Sequence, residues 1–188
     1  MPEFICSPKE LVSSVTCADR GGWYLGFYTK FSAIDWETII ADNLLFNATT
    51  RTVIDFGALL GGNTWEKIEP KGEGATYAFN YTSDTQWYDC SVNFVFDGKE
   101  KVRTANIQSA ILCCDFVLVL FCNNGTKRVV GASYNGDIIQ RPTRNFRITQ
   151  HNDDGGVLGG TASTDTMAMG GVQLFAPLYG DFTVSDFT

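Results

Sequence analysis

Hydrophobic residues in this chain fall in short blocks, each cut off by glycine, asparagine or aspartate. The densest block, residues 116–122, is a continuous apolar run that stops at Asn123-Asn124-Gly125, and a second β-rich run follows over 127–133. Asn-Gly tolerates the positive φ angles of a tight turn, so this pair of runs predicts a hairpin. Asn135-Gly136 repeats the device, and residues 143–150 alternate through Phe146 and Ile148. Upstream, strands are predicted over 23–28 after Gly21-Gly22, over 51–56, over 75–81 with Tyr77, Phe79 and Tyr81 on one face, and over 87–96 as far as Asp97-Gly98. Residues 11–15 read as a short strand or turn, 35–41 as one helical turn or an irregular loop, and Gly61-Gly62-Asn63 as a turn. One helix is predicted over 105–114, with Val102, Ala105, Ala110, Ile111 and Cys114 forming a stripe that could face a sheet. A last β-rich run, 172–176, is closed by Pro177.

Between the last two strands the pattern is lost. Residues 152–165 form a Gly/Asp/Ser/Thr tract that includes Asn152, Asp153, Asp154, Gly155, Gly156, Gly159, Gly160 and Asp165. Such residues bury too little apolar surface to order themselves, so the tract is expected to be a polar loop ordered by a neighbouring subunit, an assembly element. Its opening, Asn152 to Gly156, bears a superficial likeness to a calcium loop. The alternate-position oxygens and terminal glutamate of such loops are missing, and no metal is expected.

Size and composition fit one β-rich domain spanning 1–188. A chain that is 44% hydrophobic and 13% aromatic is not a disordered one, and 19 glycines against 5 prolines favour many tight turns. The formal charge of -7 argues against a surface that coats nucleic acid, which needs clustered Lys and Arg. Lys127, Arg128, Arg141, Arg144 and Arg147 read as solvated strand faces. The longest apolar run is far short of the roughly 20 residues a spanning helix needs, so no membrane contact is expected. The N-terminal residues lack the basic start and long apolar stretch of a signal peptide, which predicts maturation in a cytoplasm. The sequons at Asn47, Asn80 and Asn124 match the glycosylation pattern but mean little without a secretory route.

Candidate chemistry is sparse. The six cysteines, Cys6, Cys17, Cys90, Cys113, Cys114 and Cys122, include no C-x-x-C pair, and several lie among apolar residues, where cysteine acts as a small hydrophobe. Buried free thiols are the expectation, with Cys6 and Cys17 the pair to form if any bond does. His151 is the only histidine, and there is no G-x-S-x-G elbow, Walker loop or H-E-x-x-H. No catalytic residue, cofactor or metal ligand is assigned. A small enzyme using Asp residues and a carbohydrate-binding module are the alternative classes. Trp23, Trp36, Trp65 and Trp87, with seven tyrosines, could line a sugar face, although core filling explains them as well.

The order of short motifs resembles the tail tube-like structural proteins of phages that infect Bacteroidetes. The likeness opens at Cys17-Ala18-Asp19-Arg20-Gly21-Gly22-Trp23-Tyr24-Leu25. It continues through a helix at Asn106-Ile107-Gln108-Ser109-Ala110-Ile111-Leu112, the apolar strand, Asn123-Asn124-Gly125, Val130-Gly131-Ala132 and Asn135-Gly136. It ends with Gly159-Gly160-Thr161-Ala162-Ser163-Thr164-Asp165 and a closing strand before Ala176-Pro177. The resemblance implies a β-sandwich or barrel with one flanking short helix and a long Gly-rich loop. It also implies a non-enzymatic virion subunit assembled in the host cytoplasm, stacking as rings, hexameric or higher, around a DNA channel. Its partners would be copies of itself, neighbouring virion proteins and, transiently, passing DNA. A neck component or a capsid decoration protein would share this sequence pattern. The aromatic-rich segment from Trp65 to Trp87 departs from it, and no role is assigned to that segment.

Overall fold

The structure is a computed structural model, and it describes residues 22–71, 75–98, 101–112, 115–136, 138–142, 144–154 and 163–188. The fold is mainly β with several sheets. The strands are β1 (Trp23–Lys30), β2 (Phe46–Asn47), β3 (Thr52–Val53), β4 (Glu66–Ile68), β5 (Thr76–Thr82), β6 (Trp87–Asp97) and β7 (Phe116–Cys122). They continue with β8 (Lys127–Val130), β9 (Ser133–Tyr134), β10 (Ile139–Gln140), β11 (Arg144–Asp154), β12 (Thr164–Gln173) and β13 (Leu178–Gly180). A seven-stranded sheet has the order β2-β3-β13-β8-β7-β1-β4, and a four-stranded sheet the order β11-β12-β6-β5.

The apolar run at 116–122 becomes the centre of the larger sheet. All seven residues of β7 are buried, and they divide by period two between separate clusters. Val117, Val119 and Phe121 join one cluster with Phe27, Phe46, Phe182 and Phe187. Phe116, Leu118, Leu120 and Cys122 join another with Trp23, Val92, Phe94, Phe146, Met167 and Met169. The second cluster is the layer that the two sheets share. A strand covered on both faces needs no polar alternation, which is why this run reads as continuous.

Two helices occur among the described residues where one was expected. The first, α1 (Trp36–Ala41), settles the choice left open at 35–41: Asp35 caps it, accepting from Thr38 N at 3.1 Å and Thr38 Oγ1 at 2.8 Å. Trp36 and Ile39, three apart, turn into the first cluster. The second, α2 (Lys101–Ile111), starts earlier than 105 and faces the core differently from the predicted stripe. Ile107 is buried, with Arg103 and Ala110 half-buried beside it, while Ala105 and Ile111 are exposed.

Other boundaries shift for local reasons. The run at 127–133 breaks at Gly131, whose φ of +90° turns the chain into β9, and a Cβ there would lie 2.1 Å from Phe116 O. Only Thr52–Val53 of the 51–56 segment pairs as strand, and Gly61-Gly62 lie in a 3-10 turn. Only Val172 and Gln173 of the run at 172–176 are strand, as the end of the longer β12, and Pro177 leads into β13, which pairs with β8 and in parallel with β3. Residues 11–15 lie outside the described residues. The segment from Trp65 to Trp87 supplies β4 to one edge of the larger sheet and β5 to one edge of the smaller.

Candidate functional site

The polar tract at 152–165 proves to be largely strand at both ends, which corrects its reading as a loop. β11 runs on to Asp154 and β12 begins at Thr164, with the antiparallel pairs Asn152↔Thr166, Asp153↔Asp165 and Asp154↔Thr164. Ladder hydrogen bonds hold these polar residues in place, a gain that apolar content alone does not register. Gly155, Gly156, Gly159 and Gly160 lie outside the described residues.

Asp165 departs furthest from the expectation of a solvated loop. It is 0% exposed and lies on the inner row of β12 with Met167 and Met169. Its Oδ2 accepts from Arg103 Nε at 2.9 Å and lies 2.8 Å from Arg103 Nη2. Arg103 also donates to Gly98 O and stacks over the Phe96 ring at 4.9 Å. A buried carboxylate of this kind persists only when paired. His151 Nε2 lies 4.0 Å from the other oxygen, Asp165 Oδ1, and neither atom has a hydrogen-bond partner among the described residues. The sole histidine is thus brought beside Asp165, and α2 is tied to the β11–β12 hairpin close to its connecting end. The spacing of Arg103 and Asp165, 62 residues apart in the chain, gave no signal of their pairing.

The opposite edge of the four-stranded sheet is of another kind. β5 pairs with β6 alone among the described residues, and its sequence, Thr-Tyr-Ala-Phe-Asn-Tyr-Thr, contains no charge, proline or glycine. The inward row Tyr77, Phe79 and Tyr81 extends from the core to the surface, where Tyr81 is 55% exposed. Arg128 is no solvated strand residue: its guanidinium lies 3.7 Å above the Tyr179 ring and 6.0 Å from that of Phe79. Arg141 and Arg147 are exposed as expected.

The outward face of the same sheet carries Thr164, Thr166, Ala168 and Gly170 from β12 beside Asp97, Val95, Asn93 and Ser91 from β6. This is a mostly uncharged face of small side chains. The four tryptophans do not make a comparable exposed row. Trp23 and Trp36 are buried, while Trp65 and Trp87 are half-buried.

Cys90 and Cys122 are free and buried. Burial, with a smaller contribution from the Asp89 charge, pushes the Cys90 thiol up to about 12. Burial also raises Cys122, partly offset by hydrogen bonds with Thr126 and Tyr77. Both are poor nucleophiles at neutral pH, since the thiolate is the reactive form. The other cysteines, Cys6, Cys17, Cys113 and Cys114, lie outside the described residues. No group of three or more His, Cys, Asp or Glu side chains suited to a metal occurs among the described residues. No described helix is long and apolar enough to cross a membrane.

Comparison with family models, with characterised proteins and with solved structures finds no match to this chain.

Proposed function

We propose that this protein is a structural subunit of a bacteriophage virion, a ring-forming tail or neck component of the tail tube-like kind. The β5 edge is the observation that carries the reading. Natural sheets guard exposed edges with charges, proline or bulges, because an unguarded row of N–H and C=O groups recruits another strand. β11, at the other edge, carries bulges between Arg144 and Arg147 and again between Ile148 and Gln150, which leaves Gln150 to Asp154 as the regular stretch that a partner strand can meet. β5 has none of these devices over seven residues.

An edge left open in this way fits a strand from another copy. Pairing β5 of one subunit with β11 of the next joins different surfaces of the same molecule, and such a head-to-tail contact closes into a ring when the rotation permits. The four-stranded sheets would then run on around the ring. Their outward faces, with Thr164, Thr166, Ser91 and Asn93, would offer passing DNA few cations, and the net charge of -7 acts in the same direction. A sandwich flanked by α2 agrees with the tail tube-like resemblance.

Light scattering and negative-stain imaging of the purified protein test the reading. Rings or short tubes whose population rises with concentration are the expected result, together with the protein's presence in purified particles. A monomer at all concentrations that is also absent from particles would overturn it. A monomer that binds glycans would favour the carbohydrate-binding alternative.

A further inference from the structure

Apolar side chains fill the inward row of β12 as far as Met167, and there the filling changes. Met167 is the ladder partner of His151, and Asp165 takes the next inward position. Only 14% of the His151 side chain is exposed, and none of Asp165's. A carboxylate withdrawn from water is costly unless its oxygens are engaged. Arg103 engages Oδ2. Oδ1 instead faces His151 Nε2 across 4.0 Å, and neither atom has a hydrogen-bond partner among the described residues.

What this facing pair can do depends on one proton. A neutral imidazole carries a single N–H, so it either turns a lone pair at Nε2 toward the carboxylate or holds an uncharged donor roughly 1 Å beyond bonding reach. An imidazolium carries N–H at both nitrogens together with a full charge, which makes Nε2 a charge-assisted donor toward Oδ1. The carboxylate then serves two cations, Arg103 at one oxygen and His151 at the other. The charged groups that meet there are Asp165 from β12 and Arg103 from α2, and Arg103 is already neutralised by Asp165. Asp153, two residues along β11 from His151, is the ladder partner of Asp165, so a second acidic residue stands at the same level of the hairpin.

We infer that His151 and Asp165 form an acid-strengthened latch, in which uptake of one proton by His151 closes the bond to Asp165 and ties the connecting end of the β11–β12 hairpin more firmly to α2. Histidine is the side chain that ordinarily changes charge between pH 5 and 8, and this chain has only one. The effect therefore has a single source. Because the fold holds that proton more tightly than the unfolded chain does, the latch contributes at acidic pH and is lost as pH rises and the imidazole gives its proton up. At neutral to basic pH the hairpin end is held by the ladder and by Arg103 alone. The latch lies within one copy of the chain, so it stands whether or not copies assemble.

Hydrogen exchange of the full chain at pH 5.5 and pH 8 tests it. Protection of the amides of Gln150 to Asp154, corrected for intrinsic rates and referred to the amides of β7, should be greater at pH 5.5 by about threefold or more. His151→Gln keeps a polar side chain that does not titrate, and it should remove this difference. In the wild type at pH 5.5, the nitrogen resonances of the sole imidazole should show a hydrogen-bonded Nε2–H, and Asp165→Asn should abolish that signature. Equal pH dependence in wild type and His151→Gln would overturn the latch. Should His151→Gln fail to fold, the wild-type imidazole decides: a proton taken up without a bonded Nε2–H and without added protection at Gln150 to Asp154 sinks the inference.

Discussion

In the seven-stranded sheet, β7 is covered on both faces and lies between strands on both edges, whereas β6 and β12 of the four-stranded sheet bury alternate residues and turn the rest outward. The larger sheet spends its apolar residues on two clusters, with Leu118 and Leu120 in one and Val117 and Val119 in the other. The smaller sheet contributes to only one. Under the ring reading proposed above, its outward face and both edges are the surfaces left for contacts between copies. The difference teaches where change is tolerated: the larger sheet fixes the fold, and the smaller one presents it.

The largest stability effect is expected where the smaller sheet breaks its own pattern, at Asp165. Asp165→Ala strands the half-buried Arg103 guanidinium, and breaking such a pair costs about 3–5 kcal/mol. Arg103→Met with Asp165→Leu should recover most of that loss by restoring apolar packing beside Met167. Denaturant melts of the three variants give the answer. A double variant no better than Asp165→Ala would mean that the pair specifies a unique arrangement rather than merely satisfying two charges.

Next comes the covered strand. Leu118→Ala and Leu120→Ala should each cost about 2–5 kcal/mol, because both side chains are 0% exposed and neither site can collapse easily. Val117→Ala and Val119→Ala should also destabilise, by about 0.8 kcal/mol per methyl group before any cavity cost. Thr166→Ala and Ser91→Ala, on the outward face of the smaller sheet, should stay within about 0.5 kcal/mol. Equal losses on the two sheets would remove the contrast between them.

Cys90 offers a pH-dependent check. Its pKa is raised on folding, so the stability that the neutral thiol contributes is fully present below the unfolded value, roughly 8.5, and is lost as pH rises toward about 12. The gap in melting temperature between wild type and Cys90→Ala should therefore be constant up to about pH 8 and narrow above it. Reductant and chelator should leave the wild-type melt unchanged at neutral pH. Rapid alkylation of Cys90 in the folded protein at pH 7 would show that the thiol is neither buried nor protonated.

Much of this contrast was readable from the residues. The run at 116–122, the Asn-Gly turns and the alternation over 75–81 and 87–96 follow from period two and turn chemistry, which act within a few residues. What escaped depends on partners far away in the chain. Asp165 resembles any loop aspartate until Arg103 is placed beside it. Asn152, Asp153 and Asp154 read as loop because their order comes from the ladder with β12 rather than from burial. Ile107 displaced the predicted helix stripe because α2 meets the sheet through Arg103 and Ala110. The open β5 edge was legible as a strand, yet its being an edge is a property of topology that no local pattern carries.

The smallest effect on stability should accompany a complete effect on assembly, at β5. Ala78→Lys and Asn80→Lys place charges on the outward-facing row of this edge strand, where neither residue is buried. Each should change the stability of the isolated subunit by no more than about 0.5 kcal/mol, since no core contact or ladder bond is lost. An incoming strand would have to lie against both ammonium groups, the means by which natural edges refuse partners, so association should disappear. Thr149→Lys, at the bulge of β11 and outside its regular stretch, is the matched control for added charge and should weaken association less. Rings formed by the Ala78→Lys/Asn80→Lys protein would show that β5 is not an interface, and the uncharged edge would then need an occupant other than a second copy.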